Sequence, residues 1–370
     1  MKICFVSNPI VDVLIESEKT KSIGGAELQM AFIGQGLKNK GYEISYATRA
    51  CGNSEDQIVN GMTVYKTFDS NAGVYGLRYF YPRLYKTWMA LKRARSDVYY
   101  VRCAGHLAGI VALYCKLNKK KFIFATAHDT DIIPDKIRLK SKRDKLLYCY
   151  GLRNADAVVV QSEKQKKLLW ENFKRTGIVI RSFHPFNGKC VRQKREFILW
   201  VATIRAWKRP LQFIKLAKHF PEEQFLMIGG PAGFPTAAEK LLFKEIEEIS
   251  QNISNLKFLG FQPFEKTESY FDKAKVFVNT SIYEGFPNTF LQAWRRGIQV
   301  ISYVDPDNII SQNKLGRVVA TEGELSEALH EILCFDHSDE DHIKRYFDEN
   351  HSEKNIERYC SLLDKILQKS

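Results

Sequence analysis

The sequence lacks the features that mark several large classes of protein. Its eight cysteines, at positions 4, 51, 103, 115, 149, 190, 334 and 360, form no CxxC pair and no paired Cys/His set of zinc-finger spacing. That excludes a disulfide framework and a zinc site as organising elements, and leaves small buried thiols in a reducing compartment. The longest apolar run, around Leu107–Cys115, is about half of the roughly 20 residues a spanning helix needs. The first residues, Met1-Lys-Ile-Cys-Phe-Val-Ser-Asn8, turn polar too soon for a secretory signal. Internal repeats and low-complexity stretches are absent too. The chain is expected to work in the cytoplasm without crossing a membrane.

What is present is globular composition, 45% hydrophobic and 26% charged over 370 residues. That is too much chain for one ordinary core, so two domains are expected. The net charge of +14 is unevenly placed. Residues 1–185 carry 31 Lys and Arg against 16 Asp and Glu, and the remainder 25 against 26. The excess concentrates at Lys116–Lys121 and Lys136–Lys145. It points to an anionic partner for the first domain only (a membrane surface, a phosphate-bearing lipid or nucleic acid) or to a merely solvated basic face. No aromatic-and-basic stripe or nucleic-acid module is read alongside it, so nucleic acid is not expected as the partner.

Short apolar segments alternate with helical ones throughout. Ile3–Ser7 reads as a strand; Gly24 and Gly25 open a helix to about Lys40, stopped by Gly41; Glu43–Thr48 is the next strand. Strands follow at Val98–Arg102, Phe122–Ala127 and Ala157–Gln161, the last leading into a helix from Ser162. Phe183–Arg195 breaks the pattern and reads as a linker. Beyond it come strand Phe197–Ala202, a helix at about 210–219, and strands Gln224–Ile228, Leu256–Leu259, Val276–Asn279 and Gln299–Ser302. From about Ser352 the chain reads as one amphipathic helix. Buried strands between helices predict two doubly wound parallel sheets. Such sheets bind ligands at the carboxyl ends of their strands, which predicts one cleft fed by loops of both domains.

The motif with most chemistry is Tyr283-Glu-Gly-Phe-Pro-Asn-Thr-Phe-Leu-Gln-Ala-Trp294, between a strand and a helix closed by Gly297. Asn288 is read as the N-cap, with the amides of Thr289, Phe290 and Leu291 left to bind an anion such as a diphosphate. Gly285 admits close backbone approach, Pro287 stiffens the turn, and Glu284 is placed to accept from sugar hydroxyls. Gln292 lies one turn beyond Asn288. A second patch, Trp200-Val-Ala-Thr-Ile-Arg-Ala-Trp-Lys-Arg-Pro210, gathers cations after a strand. In the first half, Ile23-Gly-Gly-Ala-Glu27 precedes a helix, and Phe122–Asp131 ends a strand with His128 exposed to the expected cleft. Asp129 and Asp131 spell Asp-x-Asp, a pattern that can hold Mg²⁺ or Mn²⁺ against a diphosphate. Ser162 reads as a helix N-cap with a structural role.

The Tyr283–Trp294 stretch resembles the Glu-x7-Glu signature of retaining glycosyltransferases of the GT-B fold, family 4 in particular. The resemblance implies that Glu284 contacts the donor sugar and that the second acidic position, here Gln292, holds the ribose hydroxyls. Neutral hydrogen bonds contribute about 0.5–1.5 kcal/mol against roughly 1.5–3 for charged ones, so that ribose site is weakened, and Gln292→Glu is expected to leave turnover intact. The 200–210 patch resembles the segment where an Arg and a Lys clamp the diphosphate. Lys208 matches the lysine; the Arg position falls on Thr203, with Arg205 two residues later able to supply the charge. Gly24 and Gly25 resemble the first glycine loop, and His128 the histidine near the transferred sugar. Leu259-Gly-Phe-Gln262 resembles the base-holding segment, which brings in Phe261. Phe286, Pro287, Asn288 and Thr289 fall in the donor-binding stretch. The Asp-x-Asp is set aside because the second domain already supplies cations and amides, so neither metal nor cofactor is expected.

The expected architecture is α/β: two facing Rossmann-like domains, 1–185 on the acceptor side and 186–350 on the donor side, with the 351–370 helix packing back on the first. The expected activity is retaining transfer of a sugar from a UDP- or GDP-sugar to a glycan or lipid-linked hydroxyl in cell-surface polysaccharide synthesis. The basic first domain is expected to lean on the inner leaflet. A nucleotide-sugar 2-epimerase of the same fold, or a non-catalytic glycan or nucleic-acid binder, are the alternatives.

Overall fold

The computed structural model describes residues 1–7, 24–50, 55–69, 72–137, 139, 141–185, 193–231, 235–334 and 339–368. The described residues form two compact units, one holding those up to 185 together with those from 353 onward, the other holding 193–352. Both are helix-covered sheets, as the alternation of short buried strands and helices requires.

The first unit has an eight-stranded sheet of order β3-β4-β2-β1-β5-β6-β7-β8. Its strands are β1 (Lys2–Ser7), β2 (Glu43–Ala50), β3 (Gln57–Val59), β4 (Met62–Asp69), β5 (Val98–Arg102), β6 (Lys121–Ala125), β7 (Ala157–Val160) and β8 (Ile178–Val179). The central strands are buried on both faces, β5 at all five positions, which is why their sequence does not alternate. Helices α1 (Gly25–Asn39), α2 (Tyr85–Ala94), α3 (His106–Leu117), α4 (Lys142–Asn154) and α5 (Glu163–Phe173) complete the crossovers. All pairings are parallel except β3 with β4. There the turn is Asn60-Gly61, with φ of 49° and 68°, the pair of left-handed residues that suits a two-residue hairpin.

The last helix, Lys354–Gln368, belongs to this first unit. Asn355 Nδ2 donates to the Arg181 carbonyl at 3.1 Å, and the Tyr359 and Tyr100 hydroxyls meet at 3.3 Å. A methyl group on Gly36 of α1 would sit 2.6 Å from Ile356, so that glycine gives the helix its seat.

The second unit has six parallel strands in the order β11-β10-β9-β12-β13-β14. They are β9 (Phe197–Val201), β10 (Phe225–Ile228), β11 (Leu256–Phe258), β12 (Ala274–Asn279), β13 (Val300–Ser302) and β14 (Gly316–Val318). One face packs Trp200, Phe213, Ile246 and Val276; the other packs Phe277, Phe290, Trp294 and Phe347. Buried phenylalanines such as Phe213 and Phe277 contribute about 1.5–3 kcal/mol each. Helices α6 (Pro210–His219), α7 (Ala237–Ser250), α8 (Phe264–Phe271) and α9 (Asn288–Trp294) surround the site, and α10 (Ile309–Gln312), α11 (Glu322–Cys334) and α12 (Glu340–Asn350) close the unit. From β9 the chain winds outward through β10 and β11, then returns to β12 on the other side of β9. The carboxyl ends of β9 and β12 therefore bound the crevice where such a sheet binds ligands.

Among the described residues no helix is long and apolar enough to cross a membrane.

Candidate active site

Residues 202–209 follow β9 and residues 280–287 follow β12, so the two strongest motifs meet at the crevice. Four contacts tie the loops together. Thr280 Oγ1 accepts from buried Trp200 Nε1 at 2.9 Å and donates to the Lys208 carbonyl at 2.5 Å. Arg209 Nε donates to the Thr280 carbonyl at 2.8 Å, and the Ile282 amide to the Trp207 carbonyl at 2.9 Å. The Trp207 and Tyr283 rings stack at 5.8 Å. Thr280, Trp207 and Tyr283 do this positioning, and none was singled out from sequence.

The product of that bracing is an ion pair between Lys208 Nζ and Glu284 Oε1. Their side chains are 18% and 11% exposed, so neither is a solvated surface charge. Ser281 Oγ also donates to Glu284 Oε1, at 2.8 Å, and its own amide donates to Asn279 Oδ1. A half-buried ammonium and carboxylate at the mouth of the crevice can each exchange a protein partner for a ligand: the cation for a phosphate oxygen, the carboxylate for a hydroxyl.

Several expectations are corrected here. Asn288 is the first residue of α9, and Pro287 precedes it as the cap with φ −66° and ψ 124°. Proline already holds the dihedral needed to enter the helix, and its carbonyl accepts the Phe290 amide at 3.1 Å, so that amide is not free for an anion. Phe286 turns its ring into the core, 5.1 Å from His351 and 6.1 Å from Trp294. Arg205 is not an uncommitted cation: Glu239 of α7 pairs with it at 3.4 Å and its guanidinium lies 4.8 Å over Trp207. The Thr236 amide is the main cause holding the Glu239 carboxyl below its usual range. Gln292 is buried and donates Nε2 to Glu268 Oε1 of α8 at 2.5 Å; Arg295 and Arg296 each approach Glu268 Oε2 at 3.0 Å. Thr203 and Gly285 are half-buried in these loops, and Thr289 is half-buried in the first turn of α9. Phe261 is half-buried after β11, where the Gly260 carbonyl accepts the Gly229 amide and the Leu259 carbonyl accepts Gln262 Nε2.

In the first unit the corresponding crevice lies between β1 and β5. Gly24 precedes α1 with φ −79° and ψ 139°, a conformation open to any residue. Its smallness serves Glu27, whose Oε2 would lie 2.0 Å from a Cβ on Gly24. Burial pushes the Glu27 carboxyl up, opposed by Arg102 at the end of β5. Gly25 is exposed. Cys103 follows with φ 78°, an uncommon value for a side-chain-bearing residue. His128 stands exposed just beyond β6. Its amide and that of Ala127 donate to Asp131 Oδ2 at 3.0 and 2.7 Å. Asp129 pairs with Lys164 at 2.7 Å and accepts from Gln165 Nε2. Both carboxylates of the Asp-x-Asp thus have protein partners. Ser162 caps α5, accepting the Gln165 amide at 3.0 Å. Among the described residues no group of His, Cys, Asp and Glu could hold a metal ion.

Family models match the chain on both sides of the linker: Glycosyltransferase Family 4 over residues 23–181 and Glycosyl transferases group 1 over 186–346. The chain is a group 1 glycosyltransferase. Solved structures agree on the fold. Sucrose-phosphate synthase from Thermosynechococcus elongatus superposes with a TM-score of 0.74 at 17% identity, covering 100% of both chains. Anabaena HepE in complex with UDP-glucose gives 0.72 at 14% identity, over 99% of this chain and 100% of that one. The catalytic domain of starch synthase IV from Arabidopsis thaliana, bound to ADP and acarbose, gives 0.65 at 12% identity, over 100% and 98%. No curated protein sequence matches the chain. The glycosyltransferase therefore has the GT-B fold, two parallel-sheet α/β units, and its Lys208–Glu284 pair lies at the switch point of the second.

Proposed function

We propose that this glycosyltransferase moves a sugar from a nucleotide-diphosphate donor, a UDP- or GDP-sugar, to a hydroxyl of a glycan or lipid-linked acceptor, with retention at the anomeric carbon. The observation that carries the reading is the Lys208–Glu284 ion pair at the carboxyl ends of β9 and β12. On donor binding Lys208 turns to the diphosphate and neutralises the charge that builds on the leaving group. Glu284, still held by Ser281, accepts hydrogen bonds from the sugar hydroxyls. The leaving phosphate takes the acceptor's proton, so no further carboxylate base is needed. His128 lines the acceptor side. HepE in complex with UDP-glucose and starch synthase IV bound to ADP, both of this fold, favour a nucleotide-linked donor.

The reaction runs without a metal or cofactor on this reading, since the cation at the diphosphate is Lys208. We place the activity in cell-surface polysaccharide synthesis in the cytoplasm, with the basic first unit against the inner leaflet.

The deciding experiment is turnover of Lys208→Ala with a donor chosen from a nucleotide-sugar panel by thermal shift. A kcat drop of about 10²-fold or more, with acceptor KM little changed, is expected. Turnover equal to that of the unmodified enzyme removes Lys208 from the chemistry. Formation of an isomer from donor alone would instead mark a 2-epimerase.

A further inference from the structure

Residues 70–96 contain six Lys and Arg and no Asp or Glu. Within them Val74, Tyr75, Leu77, Phe80, Tyr81 and Tyr85 stand between 53% and 87% exposed. Large apolar side chains gathered in water at this density mark an interaction surface. The sequence reading found no aromatic-and-basic stripe; folding and exposure reveal one here.

Ring contacts recur along the segment. The Tyr79 and Phe80 rings lie 5.6 Å apart, Tyr81 and Tyr85 5.7 Å apart, and the Arg78 guanidinium sits over Tyr75 at 5.6 Å. Arg143 of α4 lies 3.5 Å over the Tyr79 ring, which brings a cation of α4 to the same surface. Asp144 is the acid at that junction, and it pairs with Arg143 at 2.8 Å. Leu146, one helical step beyond Arg143, is 72% exposed.

Exposed tyrosines and aliphatic groups interleaved with cations match the boundary region of an anionic bilayer. Amphipathic rings settle at headgroup depth, aliphatic groups enter the acyl edge, and guanidinium and ammonium groups pair with lipid phosphate. A protein partner would need acidic surface to match this charge; an anionic bilayer offers phosphate of that sign everywhere.

We propose that residues 74–86, with Arg143 and Leu146 beside them, form the surface on which this glycosyltransferase docks to an anionic lipid bilayer. The surface gives the membrane reading above its residues, and its test does not depend on the donor chemistry of Lys208 and Glu284.

Co-sedimentation of the full chain with phosphatidylcholine vesicles, with and without phosphatidylglycerol, tests it. The wild-type chain is expected to partition to the anionic vesicles and little to the neutral ones. Tyr75→Ser/Phe80→Ser/Tyr81→Ser is expected to weaken partitioning at least tenfold, and Arg78→Glu/Lys86→Glu by about fivefold or more per cation lost. Turnover of the donor selected by thermal shift, in detergent-free solution, should not change in either variant. Tyr75→Trp, a near-isosteric probe, should be quenched by vesicles carrying brominated acyl chains even if the multiple variants fold poorly. Absence of quenching, equal binding to neutral vesicles, or wild-type partitioning by the variants overturns the proposal. So does a concentration-dependent dimer abolished by the triple serine variant, or displacement of the surface by nucleic acid in preference to lipid. Loss of all donor turnover with membrane binding intact would sink the transferase mechanism and leave the docking surface standing.

Discussion

Gln292 donates its amide nitrogen to Glu268 Oε1 at 2.5 Å. A carboxylate can only accept, so the nitrogen must face Glu268, and the bond takes one of its two N–H donors. That bond fixes which end of the Gln292 amide points to α8.

Gln292→Glu is therefore no longer expected to be silent. It would set two carboxylates at hydrogen-bond distance in a buried position, with only Arg295 and Arg296 to offset them. We expect a loss of about 1–3 kcal/mol in stability, read as a lower midpoint in urea unfolding, with activity falling alongside. The exchange Gln292→Glu/Glu268→Gln should recover most of both. A single variant as stable as the parent would show that Glu268 does not set the amide.

Thr280→Val keeps the shape of the side chain and deletes its hydroxyl. Buried Trp200 Nε1 then loses its acceptor and the Lys208 carbonyl its donor. A cost of about 1–3 kcal/mol is expected, together with a kcat loss, because the turn carrying Lys208 is no longer pinned. Unchanged kcat in a destabilised enzyme would assign Thr280 to stability alone.

Glu284→Gln separates the two partners of the ion pair. If they serve one donor complex, the double variant with Lys208→Ala should be no worse than the poorer single one, whereas independent roles would multiply the losses. Steady-state kinetics on the four enzymes read this directly.

His106 opens α3 and meets the Tyr79 ring edge-on at 6.2 Å. Burial is the main cause holding its imidazole below the usual 6.5; Asp144 opposes this, and Arg143 and Arg83 add to it. The unfolded chain takes up the proton first as pH falls, so stability should decline below about pH 6.5. His106→Gln should flatten that part of the stability–pH curve. An identical slope in the variant would trace the effect to another group.

Activity in EDTA tests the metal-free reading. Full turnover is expected after exhaustive chelation, and restoration by Mg²⁺ or Mn²⁺ of an otherwise lost rate would contradict it.

Much of this was legible in the sequence, for reasons visible at particular residues. Val98–Arg102 was read to its ends because five buried residues in a row leave few alternatives, and Ser162 because a capping hydroxyl acts locally. The Asn60-Gly61 hairpin carried a two-residue signal that was passed over, so the antiparallel edge went unread. The start of α9 was misplaced by one residue, since proline and asparagine can both precede a helix. The Lys208–Glu284 pair could be named but not joined: its members lie 76 residues apart. Glu268 and Glu239 carried no signal at all, because their importance comes from helices α8 and α7 packing beside Gln292 and Arg205. The exposure of residues 74–85 likewise depends on what the rest of the unit leaves uncovered.

The seating of the last helix against Gly36, Arg181 and Tyr100 has a consequence for synthesis. On the ribosome, every residue of the second unit emerges before the helix that completes the first. The earlier-made unit must therefore wait, with the Ile356 seat on α1 open to solvent, while the later-made one can already close. A released chain ending at residue 352 should thus present a protease-resistant carboxyl-side unit joined to an amino-side unit still vulnerable to cleavage.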